Sequence, residues 1–495
     1  MPKISEIFIE KWFKAACIVN VLLCIIFIFL FSPVTSEGKG DQGTYMTMAS
    51  QIFSKDGLSV CFSHRSPLYP MLLGVFSLVF GSAYYIKTAI IFQYFLVFLT
   101  SLVIYRLFEM PGTGKRNSFF VSLLFVLNFS TIFYAYNILS EILTVCLFFL
   151  SFYLLMLFSR HEKSKYLLMS GALSGFLILA RFNMLPLPFF FGLIIMLFFL
   201  QKYHFILNFK ILFRWLIVFF APIIIILNLW CAYNFFNHGK YFLFPASHMG
   251  NRYTVTALIK NDQHVTEEYK DVHKIFLNVK EKYLAEKEKS FGTKKSSLLN
   301  YMGKDFYLHF AELTSGYQVY LMAKDELHNY YQIDTAQAGY DDLLSRKLGP
   351  YYDQVIKQNK SMLWELRLFS LINSFKYSYS GEGDFSKNLG KLPSTVVFAY
   401  KFIFETAIIL FVLLAIIYIY IAFKKHLLIK NFIALSVLII IFYFPVINVL
   451  AVTYSDANRF KFPSEPLILG MIFYMFTFIK HYRKQKKLKK ETPKT

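Results

Sequence analysis

The first stretch of this chain that could do chemistry lies in residues 34–80, between two long apolar runs. It carries Glu37, Asp41, Tyr45, His64, Arg65 and Tyr69. A carboxylate there can take the proton of an attacking hydroxyl, and a guanidinium can hold a departing phosphate in a two-point grip. Together they suit transfer of a group from a phosphate ester to a hydroxyl. Further on, Glu141, Arg181, Asn234 and Arg459 stand at the edges of apolar segments. Each charge-assisted hydrogen bond to a phosphate contributes about 1.5–3 kcal/mol. An arginine deep in a membrane span costs about 2.5–3.5 kcal/mol on insertion scales, whereas one at the membrane surface avoids much of that. Arg65, Arg181 and Arg459 all fit the surface depth.

Each residue also has a plainer reading. Asp41 could be the N-cap of a helix over 41–54, and Arg65 and Arg181 could snorkel to lipid headgroups. Arg459 could belong to a turn before the last span, and Glu141 could cap a helix or pair with one of the arginines. His64 reads more readily as an interface residue than as a ligand. Gly171 and Gly175 have the spacing of close helix packing. Pro111-Gly-Thr-Gly-Lys115 lacks the upstream glycine of a phosphate loop.

These residues need elements to position them, and composition says which. The 495 residues are 56% hydrophobic and 19% aromatic, with several runs of the roughly 18 or more apolar residues that a membrane helix needs. The fold class is therefore an all-α polytopic membrane protein. The net charge of +22 is carried in short loops and in the tail 480–490, as cytoplasmic loops are, which argues against nucleic acid as a partner. Three of the five cysteines lie inside apolar spans and a fourth ends one, so no disulfide framework is expected. The first apolar run lacks a small-residue cleavage site and reads as an anchor.

Ten spans are expected, near 14–33, 86–107, 118–136, 140–159, 166–182, 184–200, 212–231, 396–423, 431–450 and 465–480. The run 66–80 reaches only about 22 Å as a helix, short of the roughly 30 Å core. With the N-terminus inside, the basic loops after residues 113, 159, 200 and 423 all fall on the cytoplasmic side only if 66–80 does not cross. It therefore reads as an interfacial helix, with a second one over 41–54. Both termini are then cytoplasmic, and Asp41, Arg65, Glu141, Arg181 and Arg459 share the outer side, although none of them entered the charge count.

The expected organisation is a seven-helix module over 1–234 with its first external loop at 34–80. A mostly helical extracytoplasmic insert follows over 235–394, then three spans over 395–480 and a basic cytoplasmic tail over 481–495. In the insert Val272, Ile275, Val279 and Tyr283 recur at helical spacing, and Gly381-Glu-Gly383 marks a loop.

The motifs in their order resemble the glycosyltransferase C superfamily, in particular protein O-mannosyltransferases and the lipid A aminoarabinose transferase. The residues that carry the likeness are Asp41 with Tyr45 and Ala49, and Arg65-Ser-Pro-Leu-Tyr-Pro70. Later pieces are Leu139-Ser-Glu141, Gly171 to Gly175 leading to Arg181, Trp230-Cys-Ala-Tyr-Asn234, and Asn458-Arg-Phe460 with Pro463 and Pro466. The likeness covers the first 240 residues and the last 50 and leaves the insert unmatched. It implies an enzyme that moves a sugar from a polyprenyl-phosphate carrier to a hydroxyl acceptor at the outer face. It also implies that Asp41 is the base, that Arg65 binds lipid phosphate with Arg181 and Arg459, and that Tyr45 and Tyr69 line the donor site. Many relatives carry Asp-Glu where this chain has Asp41-Gln42, and Glu37 is the nearest carboxylate that could substitute. Glu141, His64 and Asn234 are support or acceptor residues in this reading.

The expected partners are thus a polyprenyl-phosphate-linked sugar, a hydroxyl-bearing acceptor and the bilayer of the cytoplasmic membrane. No His, Cys and carboxylate cluster has metal-ligand spacing, so a divalent ion at Asp41 is possible chemistry without a motif behind it. Two alternatives stay open: a transporter or flippase of a lipid-linked sugar, and an extracytoplasmic glycan ligase or polymerase.

Overall fold

The computed structural model describes residues 11–30, 40–52, 66–203, 209–238, 241–243, 255–291, 304–333, 340–373, 394–424, 431–451 and 462–491. Those residues are helical or in turns, with no strand among them. The elements that build the membrane part are α1 (Lys11–Leu30), α2 (Gly40–Ile52), α3 (Leu68–Phe80), α4 (Tyr85–Glu109), α5 (Lys115–Val126) and α6 (Phe129–Tyr136). They continue with α7 (Glu141–His161), α8 (Ser164–Ala180), α9 (Leu187–Tyr203) and α10 (Phe209–His238). The insert holds α11 (Lys270–Ser290), α12 (Lys304–Leu313), α13 (Gly316–Tyr330), α14 (Tyr340–Gln358) and α15 (Lys360–Asn373). After it come α16 (Ser394–Lys424), α17 (Phe432–Ala451) and α18 (Ser464–Glu491).

Among the described residues, six helical segments are long and apolar enough to cross a membrane: Lys11–Leu30, Tyr85–Glu109, Glu141–His161, Phe182–Tyr203, Phe209–Phe236 and Phe402–Lys424. The bent pair α5 and α6 makes a seventh if taken as one span. Helices α3, α8 and α17 are shorter apolar helices. Each of the ten expected spans meets a helix, and helices α2 and α3 stand at the two stretches expected to be helical in the first loop. One expectation is corrected. The stretch 118–136 is not a continuous helix but two, bent by 47°. Asn128 causes the break, because its side-chain oxygen accepts the Ser130 backbone N–H (2.7 Å) and caps α6. Helix α18 runs on from the last expected span into the basic tail, through Glu491.

Small and hydroxylated side chains hold the bundle together, as expected where burying apolar surface gives helices no reason to leave lipid. A Cβ placed on Gly171 would lie 2.0 Å from the Phe219 carbonyl oxygen, and one on Gly175 would lie 3.0 Å from Ile226. Helices α8 and α10 therefore approach to a distance that only glycine permits at position 171. On its other side α8 is tied to α7 by the Ser151, Ser170 and Ser174 hydroxyls (2.8–3.1 Å). Asn20 of α1 donates to Ser101 of α4 (3.0 Å) in the same manner. These contacts fix the end of α8, and with it Arg181.

The insert has a core of its own. Val272, Phe276, Val279 and Tyr283 of α11 are buried against residues of α13 and α14, with Ile275 partly buried beside them. The Lys280 ammonium is buried too. It donates to the carbonyls of Ala257 (2.9 Å) and Ile259 (2.6 Å) and to Glu312 (2.9 Å). His273 lies between the Tyr351 hydroxyl (2.9 Å) and the Lys260 carbonyl (3.0 Å). Helix α15 touches α17 and joins this part to the membrane helices. Gly381-Glu-Gly383 lies outside the described residues.

Candidate functional site

Asp41 is the second residue of α2. It lies inside the first turn rather than at the cap, where the unpaired N–H groups of the helix favour a negative charge. The helix is held by the residue next to it. Gln42 donates from Nε2 to Asn137 Oδ1 (2.8 Å) and accepts the Ile138 backbone N–H at Oε1 (3.3 Å). An amide can do both at once, whereas an ionised carboxylate can only accept. That gives a physical reason for glutamine at this position.

One turn on from Asp41, Tyr45 is buried, with its hydroxyl 3.1 Å from Ser140 Oγ and its ring edge-on to Tyr69 at 5.2 Å. The Tyr69 hydroxyl donates to Gln93 Oε1 (3.0 Å), and Gln93 Nε2 donates to the carbonyls of Ala135 and Asn137 (2.9 Å each). Buried polar groups must find partners, and here they tie α2, α3 and α4 to the turn before α7. The two tyrosines, expected to line the donor site, turn their hydroxyls to Ser140 and Gln93 and so brace this corner.

Glu141 follows Ser140 and opens α7. Its carboxylate meets the Arg181 guanidinium at 2.7 Å, with side chains 3% and 13% exposed respectively. The pairing that the sequence offered for Glu141 is thus present. Arg181 sits at the C-terminal end of α8, in extended conformation. The next residue, Phe182, donates its backbone N–H to Ser66 Oγ (2.9 Å), which brings the start of α3 to the same corner. A narrow cleft here is lined by Glu141, Thr144, Arg181, Met184, Phe462 and Pro463.

Arg65, Arg459, Glu37 and His64 lie outside the described residues. Their described neighbours are informative: Ser66 follows Arg65 in the chain, and Phe462 and Pro463 come soon after Arg459. Asn234 is buried and its amide donates to the Phe242 carbonyl (2.8 Å), while Trp230 Nε1 donates to the Leu243 carbonyl (2.9 Å). The Trp230-to-Asn234 motif therefore pins the chain back after α10, and Asn234 has a structural use.

Three residues of this corner carried no weight in the sequence. Gln93 is buried within α4, and Asn128 donates to the fully buried Glu465 (2.9 Å) at the start of α18. A polar side chain inside an apolar helix is the signal that could have found Gln93 and Glu465. Among the described residues, no three His, Cys, Asp or Glu side chains are grouped so as to hold a metal ion.

No protein-family model matches the chain, and no curated protein matches it in sequence. Solved structures do resemble it. The oligosaccharyltransferase of Archaeoglobus fulgidus in its apo form superposes with a TM-score of 0.50 at 13% identity, over 97% of this chain and 52% of that one. The same organism's oligosaccharyltransferase AglB, with an inhibitory peptide and a dolichol-phosphate, gives 0.48 at 12% identity, over 99% and 53%. ArnT from Cupriavidus metallidurans bound to undecaprenyl phosphate gives 0.33 at 12% identity, over 98% and 81%. The first likeness shows a shared fold, that of a polytopic all-helical membrane protein, and the chain spans about half the length of that archaeal enzyme.

Proposed function

We propose that this chain is a membrane glycosyltransferase which moves a sugar from a polyprenyl-phosphate carrier to a hydroxyl acceptor at the outer face of the cytoplasmic membrane. The reading rests most on one observation. Asp41's helix, the buried Glu141–Arg181 pair and the described neighbours of Arg65 and Arg459 meet at a single corner. The fold supports it, since the archaeal protein that shares it is named as an oligosaccharyltransferase.

In this mechanism the Asp41 carboxylate takes the proton of the acceptor hydroxyl. The freed oxygen attacks the anomeric carbon from the side opposite the phosphate, and a new C–O bond forms as the sugar–phosphate bond breaks. The bonding pair leaves on the lipid phosphate, and the configuration inverts. Arg65, Arg181 and Arg459 stabilise the extra charge on the leaving phosphate. Glu141 holds the Arg181 guanidinium at the cleft. Tyr45, Tyr69 and Gln42 keep the Asp41 helix in place and do not touch the donor.

The carrier's tail has a seat in this reading. An apolar groove of about 240 Å³ runs between α16, α17 and α18, lined by Phe411, Ile416, Phe442, Pro445 and Ile468, and reaches Ser464. Ser464 is next in the chain to Pro463, which borders the Glu141–Arg181 cleft. Ten crossings with both termini inside would put that cleft outside and the basic loops within.

The test is transfer from a synthetic polyprenyl-phosphate sugar by the purified full-length protein. Wild type should turn over, and Asp41→Asn should lose about 10²–10⁴-fold, the usual worth of a general base. Undiminished transfer by a well-folded Asp41→Asn protein would remove the assigned base.

A further inference from the structure

The insert contains a helix that is apolar on two opposite sides. Met362 and Leu366 of α15 are buried in the insert's core. Trp364 and Leu368 lie about 200° further round the helix at 3.6 residues per turn, and they are 62% and 56% exposed. A surface helix ordinarily has one apolar stripe and a polar face opposite it. A second apolar stripe calls for a second apolar surrounding. Of the chain's four tryptophans, Trp364 alone is exposed, since Trp215 and Trp230 are buried and Trp12 is half-buried.

Charged side chains flank that stripe. The Arg367 guanidinium stands over the Trp364 ring, 5.0 Å from its centre, and Glu365 on the other flank meets His309 Nε2 of α12 at 2.6 Å. Tryptophan collects at the headgroup level of membranes, and a neighbouring arginine can lay its stem on the apolar layer while its charge reaches water. An apolar stripe between charged flanks is the pattern of a helix lying in a membrane interface. The neighbour of α15 says which surface is near. It packs against α17, which carries no charged residue from Phe432 to Ala451 and leaves Phe442 and Val446, one turn apart, exposed. On an apolar helix of a membrane bundle such side chains face lipid. The second stripe of α15 thus belongs to a helix that borders a lipid-facing one.

We infer that α15 lies on the bilayer, with Trp364 and Leu368 in the boundary between the headgroups and the acyl chains of a phospholipid leaflet. The helix is then a layer shared by two apolar surroundings, the insert's core on one side and lipid on the other. The insert is docked on the membrane through this face and is not held clear of it by its two chain connections. Glycosyl transfer plays no part in this inference, which stands or falls separately.

The test uses the wild-type full-length protein in phosphatidylcholine liposomes. A fraction of the lipid carries a photoactivatable diazirine near the glycerol end of one acyl chain. After illumination, lipid adducts are mapped by peptide mass spectrometry, with those on α17 showing that the photochemistry has worked. Adducts should fall on Trp364 or Leu368 as well as on α17. The double variant Trp364→Ser with Leu368→Ser should lose most of the α15 adducts and keep those on α17. Its melting temperature in detergent should stay unchanged, because both side chains already lie outside the insert's core. Adducts on α17 with none on α15 overturn the inference. So does cross-linking of Trp364 or Leu368 to a second protein chain in place of lipid, which would make this face a contact between proteins.

Discussion

Two buried ion pairs sit in different parts of this molecule and do different things. In the insert, Lys280 has three ammonium hydrogens and three acceptors within 3 Å, two of them main-chain carbonyls and one the Glu312 carboxylate. The chain uses every donor of that group on itself. At the membrane corner, the Glu141–Arg181 pair borders a cleft, and Arg181 keeps a solvent-facing edge. Burial pushes Lys280 below the usual lysine range, against the pull of Glu312. A charge that strained stays only because removing it would strand its partners. In the proposed reading the contrast separates a staple from a site: saturated donors hold a fold together, whereas a guanidinium at a cleft edge is within reach of a ligand.

The comparison can be broken most forcefully at the staple. Lys280→Ala leaves the Ala257 and Ile259 carbonyls and Glu312 without their shared cation. It should destabilise the insert by about 3–5 kcal/mol, as breaking buried pairs does. Urea unfolding followed by a probe on α11 would measure it. Transfer activity per folded molecule should stay near wild type, and a Lys280→Ala protein as stable as wild type would mean that the pair is no staple.

The corner should respond in the opposite sense. Arg181→Lys keeps the charge next to Glu141 but loses the planar fork. Its expected effect is a fall of about tenfold in kcat/KM for the polyprenyl-phosphate donor, in keeping with one charge-assisted bond. The melting temperature should barely move. A large loss of stability with unchanged kcat/KM would make Arg181 a second staple and erase the distinction.

The smallest effect sharpens the comparison through pH. Burial lowers the His273 pKa from its ordinary 6.5, partly offset by the Lys260 carbonyl. As pH falls below 6.5 the unfolded insert therefore takes up this proton before the folded one does. The stability that neutral His273 provides is present above pH 6.5 and is lost as pH falls through the depressed folded value. Thermal melts between pH 7.5 and 5, followed by a probe on α11, should show this acid-side loss, with His273→Gln reducing its slope.

Much of the frame could be read from residues alone. The apolar run at 66–80 announced α3 as a short apolar helix, and the small-residue spacing at Gly171 and Gly175 announced the α8–α10 contact. The pairing of Glu141 with an arginine was legible because a carboxylate and a guanidinium at one depth satisfy each other. The break at Asn128 was not legible. The residues on either side are equally apolar, no proline marks it, and the deciding bond is a local cap that becomes useful once Glu465 arrives from 337 positions away. The partners of Tyr45 and Tyr69 were hidden for a related reason, since Ser140 and Gln93 lie 95 and 24 positions away in the chain.

The central claim is that a lipid phosphate is held at the Asp41–Arg181 corner. A density map of the full-length protein with a bound polyprenyl phosphate tests it most directly. The phosphate should lie within hydrogen-bonding distance of the Arg181 guanidinium and beside the first turn of α2. Phosphate density confined to the opposite end of α7, by Arg160, would contradict it.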